Sequence, residues 1–156
     1  MADFDDFDLS ILAALQRDGR MTNVALSEVV ALSPSQCARR LERLEKVGAI
    51  RGYGAFLDPE ALGFGITALV TVTLEKHARA NIKEFRELVQ RRPEIVECLA
   101  ITGDGDFQLR IVAPDLASFS RFLMDAIIPM PGVATTRSHV VLEQIKSTHA
   151  LPIRHG

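Results

Sequence analysis

The sequence predicts an α+β chain built in two parts, and three observations predict it. The first third carries three short helical patterns in close succession. The remainder opens on strict alternation of apolar residues and then reads strand, helix, strand, strand, helix, strand. Between the two, Asp58-Pro59 and the glycines at 63 and 65 interrupt both rhythms. The implied map is a helical domain over 1–60, a linker over 61–65 and a second domain over 66–156.

The elements follow in order. Asp5 and Asp8 open a first helix, where carboxylates favour the positive end of the dipole. Leu9, Ile11, Leu12 and Leu15 are its apolar residues, and Asp18-Gly19 ends it. Thr22 caps a second helix whose apolar side is Leu26, Val29 and Val30. Ala31-Leu32 is a short connection, and a positive φ at Ala31 would cost roughly 1 kcal/mol relative to glycine. Ser33 is a good N-cap for a third helix, Pro34 suits its first position, and Gln36 can reach back as in a capping box. Cys37, Leu41, Leu44 and Gly48 repeat on one face, and Gly48 stops the helix. Ile50 to Leu57 reads as a short extended segment.

In the second domain, Ile66, Ala68, Val70, Val72 and Leu74 take one strand face, and Thr67, Leu69, Thr71 and Thr73 the other. Asn81 is the expected cap of a helix with Ile82, Phe85, Leu88 and Val89 inward. Strands over Ile95–Thr102 and Asp106–Ala113, joined by Gly103-Asp104-Gly105, form a hairpin. Asp115 caps a helix with Leu116, Phe119, Phe122, Leu123 and Ile127 inward. Val133 to Lys146 reads as a long last strand. The order βαββαβ is the ferredoxin-like arrangement, a four-stranded antiparallel sheet with both helices on one face. Its other face, on the first strand, is threonine and leucine without a charge until Glu75, which predicts a partner, most simply a second copy; a threonine-rich solvated sheet is the alternative.

Composition limits the function. With 47% hydrophobic and 24% charged residues the chain is a folded globular protein, and a net charge of −2 excludes a generally basic nucleic-acid coat. Cys37 and Cys98 have no metal spacing and sit in apolar patterns, so both read as buried in a reducing compartment. The acidic start MADFDDFD is unlike a signal peptide and no apolar run spans a bilayer, so a cytoplasmic location is expected. The four histidines, His77, His139, His149 and His155, are scattered, and neither a catalytic nor a metal-ligand spacing appears.

The third helix carries the positive charge. Ser35, Arg39, Glu42, Arg43 and Lys46 occupy the face opposite its apolar residues, with Gln36 and Arg40 on the flank. Arginine grips phosphate or reads guanine, and glutamine reads adenine. A solvated amphipathic helix has the same composition. The capped preceding helix and short connection instead fit a helix-turn-helix, whose second helix enters the major groove of double-stranded DNA. The hairpin turn permits a second chemistry. Its glycines expose backbone N–H groups to a carboxylate, and Asp104 or Asp106 can receive an ammonium, so the turn suits an amino acid. The same residues also serve simply to close hairpins.

These stretches together carry a resemblance. DLSILAALQRDGR, NVALSEVVALS, LSPSQCARRLERLEKVGAI, TGDGDFQLRIVAPD, MPGV and TTRSHVVLEQIK, in that order and spacing, resemble the Lrp/AsnC family of transcription regulators, closest to its leucine-responsive branch. The resemblance implies a winged helix-turn-helix joined to a ferredoxin-like domain that dimerises sheet to sheet, with dimers often assembling to octamers. It implies an amino acid effector, apolar by branch, bound where subunits or dimers meet. Carried onto this chain, the DNA contacts are Ser33, Ser35, Gln36, Arg39, Arg40, Arg43 and Lys46. The effector residues are Gly103, Asp104, Gly105, Asp106, Thr136 and Ser138. Gly105 stands where the family has an aromatic residue, and Ser138 where it has threonine. No cofactor, metal or catalytic residue is implied. An enzymatic branch of this architecture resembles siroheme decarboxylases; the basic third helix argues against it.

Overall fold

The computed structural model describes residues 3–75 and 79–153, with the backbone alone for 79–81. The chain forms two compact units, 1–56 with 146–156, and 57–145. The tail from Lys146 therefore belongs with the helical unit, not with the sheet domain to which its sequence position assigns it. Within that unit the Gln16 side-chain amide pairs with both backbone groups of Leu151, and His149 stacks on Phe56 with ring centroids 4.9 Å apart.

The first unit holds α1 (Asp6–Arg17), α2 (Asn23–Val30) and α3 (Pro34–Lys46). Each is capped as its sequence predicts. Asp5 and Asp8 form a reciprocal capping box on α1, Thr22 caps α2, and Ser33 and Gln36 form the box on α3. Such caps are worth about 1 kcal/mol each because they satisfy otherwise orphaned N–H groups. Ala31 is left-handed, with φ 55° and ψ 43°, so the tight α2–α3 turn is made without glycine. Ile11, Ala14, Leu26, Val30, Cys37 and Leu44 form the core. Val29, expected inside, is exposed, because the buried side of α2 is formed by Leu26, Ser27 and Val30. The segment after α3, expected as an extended wing, runs from Arg51 to Asp58 with no strand partner. Tyr53 anchors it. Its hydroxyl donates to Glu45 at 2.9 Å, and burial, then that bond and charge, push its pKa to about 12.

Near the start of the second unit is a 3₁₀ turn at Glu60–Leu62, which straddles the expected boundary between the first domain and the linker. Then come β1 (Ile66–Leu74), α4 (Arg79–Gln90), β2 (Ile95–Ala100), β3 (Phe107–Ala113), α5 (Leu116–Phe122) and β4 (Val133–Val140). All pairings are antiparallel, in the order β2-β3-β1-β4. Period-two alternation sends Ala68, Val70, Val72 and Leu74 of β1, and Phe107, Leu109, Ile111 and Ala113 of β3, to one face. Phe85 and Val89 of α4 and Phe119 of α5 pack there, with Phe85 and Phe107 centroids 4.8 Å apart.

Several boundaries differ from the sequence reading. Helix α4 runs from Arg79, so the backbone of Asn81, the expected cap, lies inside it, and its side chain is outside the described residues. A π-helical turn at Leu123–Ile127 continues α5, and Leu116 is exposed. Strand β4 stops at Val140 because its one partner runs out: Val140 pairs with Ala68 and Val141 donates to Thr67. Cys98 is exposed because β2 is an edge strand, whereas Cys37 is buried as expected. His77 and His155 lie outside the described residues.

Candidate nucleic-acid interface and effector loop

Helix α3 buries Cys37 and Leu44 and turns the opposite face to solvent. Its polar residues then divide into two groups. Ser35, Arg39 and Lys46 are exposed, and among the described residues neither cation is in an ion pair. Arg40 is committed elsewhere. It meets Asp8 at 2.7 Å and Asp5 at 2.8 Å, and its guanidinium lies 5.4 Å from the Phe7 ring centroid. Arg43 is half-exposed, held by Asp8 at 3.2 Å and by the Asp3 carbonyl at 2.8 Å. Ser33 and Gln36 close the cap: the Gln36 carbonyl oxygen accepts from the Ser33 amide and hydroxyl, each at 2.9 Å. Bidentate reading of adenine needs both ends of the glutamine amide, and the cap occupies one.

The predicted effector turn lies against the end of β1. The Asp106 amide donates to the Val72 carbonyl, and its carboxylate accepts from the Leu74 amide at 2.7 Å. The Thr73 hydroxyl donates to the Asp104 carbonyl at 3.4 Å. Gly103 has φ 106°, which favours glycine, and Gly105 is buried with Thr71 where its side chain would stand. The two aspartates therefore differ. Asp106 satisfies a backbone donor, whereas the Asp104 carboxylate is exposed and, among the described residues, makes no hydrogen bond or ion pair.

Thr136 and Ser138 pair with Val72 and Val70, which puts them on the helix side of the sheet, at its β4 edge. Gly105, beside Thr71, is on the open side. One subunit thus gathers Gly103, Asp104, Gly105 and Asp106, but not the two hydroxyls. On the open face the neighbours of Thr71 and Thr73 are Arg137 and Thr135. Sequence reasoning passed over these two, and over Asp5 and Asp8 as partners of α3; the alternation of the last strand was the available signal for the first pair. Among the described residues no group of three or more His, Cys, Asp or Glu side chains could hold a metal ion, and no helix is long and apolar enough to cross a membrane.

The AsnC-type helix-turn-helix domain model matches residues 4–45, and the Lrp/AsnC ligand binding domain model matches residues 67–151. The chain belongs to the Lrp/AsnC family of transcriptional regulators. This Lrp/AsnC regulator is 40% identical to the leucine-responsive regulatory protein of Escherichia coli (strain K12), over 97% of its own length and 93% of that protein's. Its fold is similar to that of a transcriptional regulator from Neisseria meningitidis, crystallised as an L-Met complex. The TM-score is 0.94 at 42% identity, covering 98% of this chain and 99% of that one. An AsnC family regulator from Agrobacterium tumefaciens superposes with a TM-score of 0.89 at 35% identity, over 96% and 97% of the two chains.

The cap at the start of α1 is sensitive to acid. The Asp8 amide, followed by the hydrogen bond and charge of Arg40, holds the Asp5 carboxyl below its ordinary 3.8 despite some desolvation. A pKa depressed by folding means stability that is complete above 3.8 and lost as pH falls through the folded value. Thermal unfolding followed from neutral pH downward should therefore show a loss below 3.8 that Asp5→Asn reduces; an unchanged acid limb in the variant would remove Asp5 from it.

Proposed function

We propose that α3 reads double-stranded DNA through Arg39, Ser35, Lys46 and the exposed part of Arg43, with Ser33 and Gln36 shaping its N-terminus. The observation that carries this is the exposure of Arg39 and Lys46 on a helix whose other face is core. Arg39→Ala should weaken operator binding by about 1–3 kcal/mol and relax sequence choice if Arg39 reads a base, or weaken all duplexes alike if it holds phosphate. Unchanged affinity at fixed salt would exclude Arg39 from the interface.

Assembly is proposed through the open sheet face, as a homodimer that builds towards an octamer. Leu69 and Thr71 lie at its centre, on β1, with no helix above them. A carboxylate forced into such an interface without a partner is heavily penalised. Leu69→Glu should give a monomeric mass by light scattering, and weaker DNA binding because two linked helices lose their effective concentration. A folded variant of unchanged mass would leave this face in solvent.

The proposed effector is an amino acid with an apolar side chain, and the L-Met complex of the Neisseria regulator supports that class. Its carboxylate would take the turn amides around Gly103 and Gly105, and its ammonium the free carboxylate of Asp104. Asp106 would hold the turn in shape. Thr136 and Ser138 would join from a neighbouring copy, since they lie on the other side of the sheet. Binding between subunits changes DNA affinity only by as much as the ligand prefers one arrangement, and DNA must change effector affinity by the same factor. Calorimetry with L-Met and L-Leu should show binding to the wild type and its loss in Asp104→Ala; equal affinity in both would move the pocket elsewhere. No cofactor enters this scheme, and a cytoplasmic site of action fits it.

A further inference from the structure

Asp8 is the one charged side chain among the described residues with no exposure to solvent. One carboxylate oxygen takes Arg40 at 2.7 Å and the other takes Arg43 at 3.2 Å. The second oxygen also accepts the Asp5 amide at 3.3 Å, which locks the carboxylate into the α1 cap. Asp5 adds its own charge to Arg40. Two arginines of α3 are thus matched by two aspartates of α1, and the four groups carry no net charge together. Hydrogen bonds from Arg40 to Asp8 and then Asp5 raise the guanidinium pKa further, so Arg40 keeps its charge.

We propose that Asp8, seconded by Asp5, is a positioning residue for DNA recognition: it withdraws Arg40 from the DNA and aims Arg43 by holding one edge. This rests on the reading of α3 as the DNA-facing helix. Three of its four cations lie within five residues, and all three free would grip any phosphate backbone. Nonspecific affinity grows with each phosphate neutralised, and log K changes with log salt by about 0.9 per contact. Neutralising Arg40 keeps that sequence-blind part small. Tethering Arg43 to Asp8 and the Asp3 carbonyl limits where its remaining N–H groups can reach.

The test uses the full-length protein, a random-sequence duplex and a duplex selected by the wild type from a random pool, with affinity measured across a salt series. Arg40→Met keeps an unbranched apolar stem against Phe7 and removes the charge. Its salt slope on the random duplex should equal that of the wild type. Asp5→Asn retains an N-cap oxygen at an exposed position, so the helix stays capped while Arg40 loses one counter-charge. It should bind the random duplex several-fold more tightly at low salt, with a slope steeper by up to about 0.9, and discriminate less between the two duplexes. A slope shallower by about 0.9 in folded Arg40→Met would mean that Arg40 touches phosphate and would overturn the proposal. An unchanged slope and unchanged discrimination in a folded Asp5→Asn, Asp8→Asn double variant, which strips both counter-charges from Arg40, would overturn it as well. Neither result would touch the DNA-reading function itself, which fails only if the wild type shows no salt-dependent binding to either duplex.

Discussion

A carboxylate removed from water has to be matched by charge and hydrogen bonds, and Asp8 is matched from a helix two elements away. The match fixes where α1 can lie. With Asp8 seated between Arg40 and Arg43, Ile11 and Ala14 further along α1 share one core with Cys37 and Leu44 of α3. The same contact sets which side of α3 stays open. Removing one partner of such a pair is typically far costlier than replacing the whole pair with apolar residues, because the other charge is left buried and uncompensated.

The sheet domain rests on a different constraint. Central strand β1 pairs with β3 on one side and β4 on the other, so its two faces dictate the role of every residue alongside it. Valines at 70 and 72 require helices above them, and α4 and α5 supply Phe85 and Phe119. Thr71 between them turns to the opposite face, beside Gln108 and Arg137. The turn from β2 to β3 closes onto the same strand, where Asp106 satisfies the Leu74 amide and Gly105 makes room for Thr71. A loop fastened at these points holds its remaining amides and Asp104 in a fixed arrangement before any ligand arrives, which lowers the ordering cost of binding.

Helix α3 and the β2–β3 turn each use some polar residues to hold shape and leave others unengaged. Arg40, Gln36 and Asp106 hold shape; Arg39, Lys46 and Asp104 are left open. Residue type alone does not separate these groups, because an arginine that anchors a helix and one left in solvent are chemically identical.

The local architecture is legible in the sequence for a simple reason: caps, turns and periodicity report backbone torsion and the facing of neighbouring residues. Asp5, Thr22, Ser33 and Asp115 start helices where their side chains accept a backbone N–H, and alternation from Ile66 to Leu74 predicts the two faces of β1. Even the awkward position, Ala31 in the left-handed region, follows from the shortness of its turn. What depends on contacts between distant segments does not show in any window of sequence. The end of β4 is set by the start of β1, the exposure of Cys98 by the edge position of β2, and the face of Thr136 and Ser138 by register against Val72 and Val70. Arg39 and Arg40 are adjacent and alike in sequence; only the docking of α1 assigns Arg40 to Asp5 and Asp8 and leaves Arg39 in water, because an ion pair is decided by distance in space.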